Sequence, residues 1–269
     1  MVGAQQLRVL AALPALVIAV ISVGELWSAT HYGDDAPASD DWRRVDELLA
    51  ERHRPGELIV FAPQWIDPLG RHYLGDRMDL PMVARMDAAR YPVIWEVSTR
   101  EHRAPETRGL RATGDWSFGP LKVRRFEQEP AEIVFDFTDS LGLAEVRGRA
   151  VGRPKVSLEE VAFAPHRCIR VEPRPGQEVV LSFSGVELGT HLVAYAGLAD
   201  VFTRRDIRSP ADLRIEIGGK TVGERRLGVD DGWVRLEVNT EEAAAAEVRF
   251  VIGAKQPRRL VCFAAEARR

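Results

Sequence analysis

The chain has 269 residues, of which 45% are hydrophobic and 29% charged, and its formal net charge at pH 7 is −3. This composition is typical of a folded globular protein and excludes a disordered chain, and the length allows two modest domains or one large one. Arginine doublets such as Arg124/Arg125 are spread among acids instead of forming a cluster, so no partner nucleic acid is expected.

An apolar segment, LRVLAALPALVIAVISVGELW, runs from Leu7 to Trp27, and no charged side chain occurs between Val9 and Gly24. Its length is close to the minimum that crosses the ~30 Å hydrocarbon core of a bilayer. Arg8 precedes the uncharged run and several acids follow the segment, which favours a cytoplasmic N-terminus. We therefore predict a single-pass anchor within residues 1–27. It would contact lipid of a bacterial inner membrane through residues 7–27 and leave the bulk of the chain periplasmic or extracytoplasmic.

Two alternatives to a retained anchor remain open, a cleaved signal peptide and a buried core helix. A signal peptide has a shorter apolar core followed by a small-x-small site. Bulky Leu26 and Trp27 occupy the expected cleavage positions, and Ala36-Pro37-Ala38 lies further downstream, so we expect retention. Residues 28–40, SATHYGDDAPASD, are small, polar and acidic and predict a tether.

Residues 41–105 predict a small α/β domain of two helix–strand pairs. The predicted elements are a helix capped by Asp40 or Asp41 with Trp42, Val45, Leu48 and Leu49 on one face, a strand at Leu58–Phe61, a helix at Pro81–Ala89 and a strand at Tyr91–Ser98. Proline and glycine at Pro55-Gly56 separate the first helix from its strand.

Residues 116–269 predict an antiparallel β-sandwich of the jelly-roll kind. Nine short alternating runs recur at roughly ten-residue spacing, from LKVRRFEQ to RRLVCFAAEA, which is the pattern of an all-β domain. Gly218-Gly219 marks the clearest hairpin. The predicted fold class of the whole chain is therefore α+β.

The two cysteines, Cys168 and Cys262, lie in separate predicted strands of the sandwich. In an exported protein such a pair favours a disulfide, although two buried thiols are the alternative. A zinc site needs more ligands than this spacing supplies, so no metal and no cofactor are predicted.

No catalytic residue is predicted, because the sequence contains no nucleophile elbow, zinc-protease motif or phosphate-binding loop and its six histidines are scattered. The polar stretch QWIDPLGRHYLGDRMD is the first candidate for a site. Its residues Asp67, Arg71, His72 and Asp76 suit a sugar phosphate or metal, although an ordinary exposed loop has the same composition. If distant groups converge, this loop and Glu96 are the expected pair.

The segment HLVAYAGLADVFTRRDIRSPADL is the second candidate, because it combines an aromatic residue with charged groups beside a long connection. Its candidate ligand-binding residues are Tyr195, Asp200, Arg204, Arg205 and Asp206. Carbohydrate recognition commonly pairs an aromatic face with charged groups, and a solvated loop is the alternative. Trp233 is expected in the core at the start of a strand.

Two stretches resemble known families. DWRRVDELLAERHRPGELIVFAPQW with ARYPVIWEVS resembles the soluble extracytoplasmic module of bacterial membrane glycosyltransferases of the dolichyl-phosphate-mannose mannosyltransferase type, with Glu57 where that pattern has Asp. The segment from Gly189 to Trp233 is similar to carbohydrate-binding jelly-roll modules. Those transferases carry many membrane spans and a catalytic acid in their first external loop. This chain has one apolar segment and no such loop, so the resemblance implies an accessory module and not the transferase.

Three functions compete at this point. The first is a membrane-anchored, non-catalytic module outside the cytoplasm that binds a glycan or an envelope protein. The second is a structural subunit of an integral membrane complex, and the third is an enzyme acting on envelope glycans. The missing catalytic motifs weigh against the third.

Overall fold

The computed structural model describes residues 4–31, 36–199 and 209–269. The chain forms two compact units. Unit 1 comprises residues 1–55, 60–74 and 95–126, and unit 2 comprises residues 56–59, 75–94 and 127–269.

The helices are short except for the first. They are α1 (Ala4–His31), α2 (Ser39–Arg52), α3 (Asp67–Leu74) and α4 (Leu80–Val83), with single 3-10 turns at Gln64–Ile66, Gly75–Arg77, Pro105–Thr107 and Leu141–Leu143. Large apolar side chains of α1, including Leu16, Ile21 and Trp27, are more than half exposed. Within the described residues, no helix combines the length and apolar character needed to cross a bilayer, so the anchor predicted over residues 7–27 is not supported.

Helix α2 confirms the predicted apolar face, because Trp42, Val45 and Leu49 are fully buried. Its N-cap is Ala38 instead of the predicted Asp40 or Asp41, and Asp41 accepts a hydrogen bond from the Ala38 amide at 2.9 Å. The Trp42 ring stacks on Tyr73 with centroids 5.5 Å apart, which ties α2 to α3.

A four-stranded sheet accompanies these helices, with the order β1-β2-β4-β3. Its strands are β1 (Leu58–Ala62), β2 (Val93–Thr99), β3 (Ala112–Phe118) and β4 (Leu121–Glu127). The prediction placed Trp116 and the LKVRRFEQ run in the sandwich, but hydrogen bonding places β4 beside β2 and β3 beside β4. Strand alternation has the same period in either sheet, so only pairing decides the assignment.

Two further predicted elements differ in the structure. The stretch predicted as a polar loop forms α3, and the helix predicted at Pro81–Ala89 ends at Val83. Beyond Val83, backbone carbonyls bond outside the segment: the Ala84 carbonyl accepts from the Arg167 amide at 2.8 Å and the Met86 carbonyl from Trp233 Nε1 at 2.9 Å. These bonds replace the helical hydrogen bonds of residues 84–86 and end α4.

Unit 2 contains the predicted β-sandwich. One sheet has the order β13-β10-β15-β8-β7 with β5 also paired to β15, and the facing sheet has the order β12-β11-β14-β9-β6. The strands are β5 (Ile133–Asp136), β6 (Glu145–Gly148), β7 (Lys155–Val161), β8 (Ala164–Val171), β9 (Gln177–Leu188), β10 (His191–Ala199), β11 (Ala211–Ile217), β12 (Lys220–Leu227), β13 (Val234–Asn239), β14 (Ala243–Ala254) and β15 (Leu260–Arg268). The predicted hairpin at Gly218-Gly219 joins β11 and β12.

The sandwich core is built on aromatic rings from both sheets. Phe137 lies 5.1 Å from Phe183 and 4.9 Å from Phe250, and Phe250 lies 5.0 Å from Phe263, measured between ring centroids. All four side chains are at most 1% exposed, and burial of each contributes about 1.5–3 kcal/mol.

The predicted disulfide is present between Cys168 on β8 and Cys262 on β15, with Cα atoms 5.5 Å apart. Both cysteines lie on the face of their sheet that points away from the sandwich core, where they pack with Val161, Ala199 and Leu260. Trp233 packs against this cluster as a partly buried residue immediately before β13.

Replacing both cysteines, as Cys168→Ala with Cys262→Ala, should lower the free energy of unfolding. The bridge closes a loop across a sequence separation of 94 residues, for which the chain-entropy model gives about 4.6 kcal/mol. Urea unfolding of oxidised wild type and the double variant measures the difference. If a thiol reagent labels both cysteines in unreduced, unfolded wild type, the bridge is absent from the protein.

Candidate functional site

Charged residues lie on the outer face of the six-stranded sheet, on its central strand β15. Ala265 and Ala267 point into the sandwich core, so the alternating Glu266 and Arg268 point out of it, yet they are only 2% and 4% exposed. Residues 79–91, which we call the crossing segment, cover them. A buried charge requires partners, and the crossing segment supplies them.

The crossing segment contributes two residues to a chain of ion pairs. Arg268 donates to both oxygens of Asp87 at 2.9 Å and through Nε to Glu266 at 2.7 Å. Arg90 donates to the other oxygen of Glu266 at 2.6 Å and pairs with Asp136 on β5. Two guanidinium groups therefore hold one buried carboxylate from opposite ends.

The pKa values in this chain are shifted by burial and pairing. Burial raises the pKa of the Glu266 carboxyl, and the guanidinium groups of Arg268 and Arg90 oppose the shift without cancelling it. Burial lowers the pKa of Arg90 and Arg268, but their carboxylate partners outweigh it and raise both values. A buried carboxyl with a raised pKa is a common mark of a functional site, although structural ion pairs also perturb pKa values.

A pocket of about 330 Å³ opens beside this chain of ion pairs. Its polar lining comes from Arg85, Asp87, Arg90, Tyr91, Asp136, Thr138, Asp139, Arg167 and Glu266. At its rim Arg167 pairs with Asp139 at 2.7 Å, and their side chains are 46% and 58% exposed. Three arginines and four carboxylates thus surround a volume at the small end of the range for ligand sites.

Three rings stack beside the crossing segment. The His166 ring lies 4.2 Å from Trp233, and Tyr195 lies 6.0 Å from the same tryptophan. His166 Nδ1 donates to the Arg85 carbonyl at 3.2 Å. Burial lowers the pKa of His166 to about 4, so this imidazole is neutral at physiological pH.

Tyr195 is the one predicted residue of the second candidate whose position is known, on β10 against Trp233. Asp200, Arg204, Arg205 and Asp206 lie outside the described residues, so that site stays a prediction.

The pocket residues Arg90, Asp136 and Glu266 were not predicted from the sequence. The available signal was the pair Glu266 and Arg268 within the otherwise apolar run LVCFAAEAR.

The first candidate is not an open loop but lies on α3 and the turn after it. Asp67 pairs with Arg71 one helical turn later, and His72 meets the neighbouring Tyr73 edge-on. Asp76 lies in the following 3-10 turn. In the described residues, no three His, Cys, Asp or Glu side chains are placed to hold a metal ion.

Glu96 of unit 1 is fully buried and already has several donors. Its carboxylate accepts from the Ala104 amide at 2.8 Å, from Arg124 at 3.0 Å, from Arg103 and from the Thr107 hydroxyl. This arrangement is a satisfied structural carboxylate, and its partners do not include the predicted loop residues.

Comparison with known proteins identifies no family for the chain: no family model and no curated protein matches it. Nothing found therefore supports the resemblance to mannosyltransferase modules.

Several solved structures share a distant likeness. The CBM51-2 and INT domains of Clostridium perfringens ZmpB in complex with GlcNAc match at 14% identity and TM-score 0.34, over 64% of this chain and 40% of that one. A Clostridium perfringens CBM51 in complex with methyl-galactose matches at 12% identity and TM-score 0.31, over 52% and 94%. The CBM22-1 xylan-binding domain from Paenibacillus barcinonensis Xyn10C matches at 15% identity and TM-score 0.30, over 52% and 96%. At these values the likeness carries no argument about this chain.

The stability of unit 2 should fall as the pH drops from 6.5 to 4. Unfolded chains protonate His166 near 6.5 while the folded form resists until about 4, so stability is fully present above 6.5 and about 3 kcal/mol is lost across this window. Replacement His166→Phe keeps the ring beside Trp233 and should remove most of that loss, as urea unfolding at pH 7 and pH 4.5 will measure. The exposed His102 is the control, since His102→Gln should behave as wild type. An unchanged pH dependence in His166→Phe would contradict the assignment.

Proposed function

We propose that unit 2 is a non-catalytic module that binds a neutral glycan in the pocket beside Arg90 and Glu266. The observation that carries the proposal is the pocket lining, in which three arginines and four carboxylates lie around a space of about 330 Å³ together with Tyr91 and apolar residues such as Pro81 and Met86. Sugar hydroxyls are both donors and acceptors, so a lining of paired donors and acceptors suits them.

The charge balance of the lining favours a neutral ligand. Arg90 pairs with Glu266 and Asp136, and Arg167 pairs with Asp139. An anionic ligand would have to displace these carboxylates or lie beside them, and like charges in a confined site repel. A neutral polyol can instead accept from the arginines and donate to the carboxylates without breaking the ion pairs.

The same pairing favours binding over catalysis. Glu266 is held by two arginines, and Asp136 also accepts from the amides of Thr138 and Asp139 at 2.8 and 3.0 Å. A general acid or base must exchange its proton with the substrate, whereas these carboxylates are fixed in ion pairs. The solved structures named above include sugar complexes of other proteins, and the proposal for this chain rests on its own pocket.

Substitutions at the pocket rim test the proposal, because Arg167 and Asp139 are partly exposed and outside the buried ion pairs. Arg167→Ala and Asp139→Ala should each weaken glycan binding roughly tenfold or more while the thermal unfolding midpoint barely changes. The probes are neutral mono- and oligosaccharides with gluco, galacto, manno and xylo configurations, titrated by calorimetry.

Arg147→Ala is the matched control, since the Arg147–Glu145 pair of unit 2 is exposed on β6 away from the pocket lining. It should bind as wild type. Failure of wild type to bind any of these sugars, equal affinity of Arg167→Ala and wild type, or cleavage of a probe would overturn the proposal.

We also propose that the chain works outside the cytoplasm of a bacterium. Two observations support this: the uncharged run from Val9 to Gly24 has the character of an export segment, and a structural disulfide joins Cys168 and Cys262. Such bridges form and persist in oxidising compartments.

Cell fractionation followed by mass spectrometry tests the location. We expect the oxidised chain outside the cytoplasm, either with peptides from before Trp27 in the membrane fraction or with a new N-terminus beyond that residue. The first result would mean a retained segment and the second a cleaved one. Recovery of reduced chain in the cytoplasm would contradict export.

A further inference from the structure

The β7–β8 hairpin of unit 2 ends in a turn that its residues adopt at a cost. Val161 pairs with Ala164, so Ala162 and Phe163 form a two-residue turn, with φ of 50° and 67°. Turns of this kind need a positive φ at both central positions, which glycine and asparagine adopt more readily than other residues. A phenylalanine is an unfavourable choice for the backbone here.

Phe163 also has an unfavourable environment for its side chain. It is 83% exposed, a large fraction for an apolar ring. The hairpin that ends in this turn is regular, with pairing from Lys155↔Arg170 to Val161↔Ala164, and Val161, immediately before the turn, is buried. The exposed ring therefore stands on a fixed support.

The hairpin connects this ring to the proposed glycan pocket. Arg167, a pocket residue, follows Phe163 by four positions on β8, which is about 13 Å along an extended strand. The strand before the turn carries two carboxylates, Glu159 and Glu160, and one further exposed apolar residue, Leu158. A single aromatic face suits the apolar face of a sugar ring.

We propose that Phe163 is a second binding subsite, an aromatic platform for a further sugar unit of an oligosaccharide whose first unit occupies the pocket. The inference rests on the proposed function. It explains why the turn keeps a strained, exposed phenylalanine, because residues in unfavourable conformations tend to persist where a function needs them.

The test compares short and long ligands on three variants. Wild type, Phe163→Gly, Phe163→Trp and the control Val151→Ala are titrated with the monosaccharide that binds wild type and with its hexasaccharide. Val151 is an exposed apolar residue of unit 2, outside the hairpin. Phe163→Gly should bind the monosaccharide as wild type does and the hexasaccharide roughly 2- to 10-fold more weakly.

Two further readouts separate stacking from a structural role. Phe163→Trp should restore hexasaccharide affinity, and Phe163→Gly should unfold at the same or a higher temperature, because glycine relieves the positive φ. Equal hexasaccharide affinity in Phe163→Gly and wild type would overturn the platform and leave the pocket standing. The same result is expected if the ring binds a protein partner instead of a sugar. If wild type binds no sugar of either length, both proposals fall.

Discussion

Burial of charge on the last strand constrains what is built on the outer face of the sandwich. Glu266 and Arg268 lie on β15, almost without solvent, and neither could stay there unpaired. Asp87 and Arg90 of the crossing segment satisfy them, and these ion pairs hold the segment against the outer face of the sheet. The proposed pocket is the space left beside these ion pairs, so its polar lining follows from the same requirement.

The aromatic and disulfide clusters complete the support of this face. Trp233 donates to the Met86 carbonyl and packs against the cysteine cluster, while His166 lies on its ring. The crossing segment is thus held by ion pairs at Asp87 and Arg90 and by backbone bonds at Ala84 and Met86. A rigid wall of this kind favours a preformed site, in which little ordering is required when a ligand binds.

Unit 1 also contains a buried charge. Glu96 has no exposed surface, and it is satisfied by Arg124, Arg103 and a backbone amide. Arg124 also reaches Glu101 at 2.6 Å, so the pairing extends to the surface. Both oxygens of Glu96 already accept hydrogen bonds from donors of the same unit, so this carboxylate is explained by the stability of unit 1.

The sequence by itself determined the local features: the apolar face of α2, the β-sandwich, the Gly218-Gly219 hairpin and the cysteine pair. Each depends on spacing or on residue type, which a sequence displays directly. Only the tertiary structure assigned β3 and β4 to the smaller sheet, ended α4 at Val83 and brought Arg90, Asp136 and Glu266 together. Those outcomes depend on hydrogen bonds and ion pairs between residues far apart in the chain, and Arg90 meets Glu266 across 176 positions. No local pattern records such a partner, because the need to neutralise a buried charge arises only once the strand is buried.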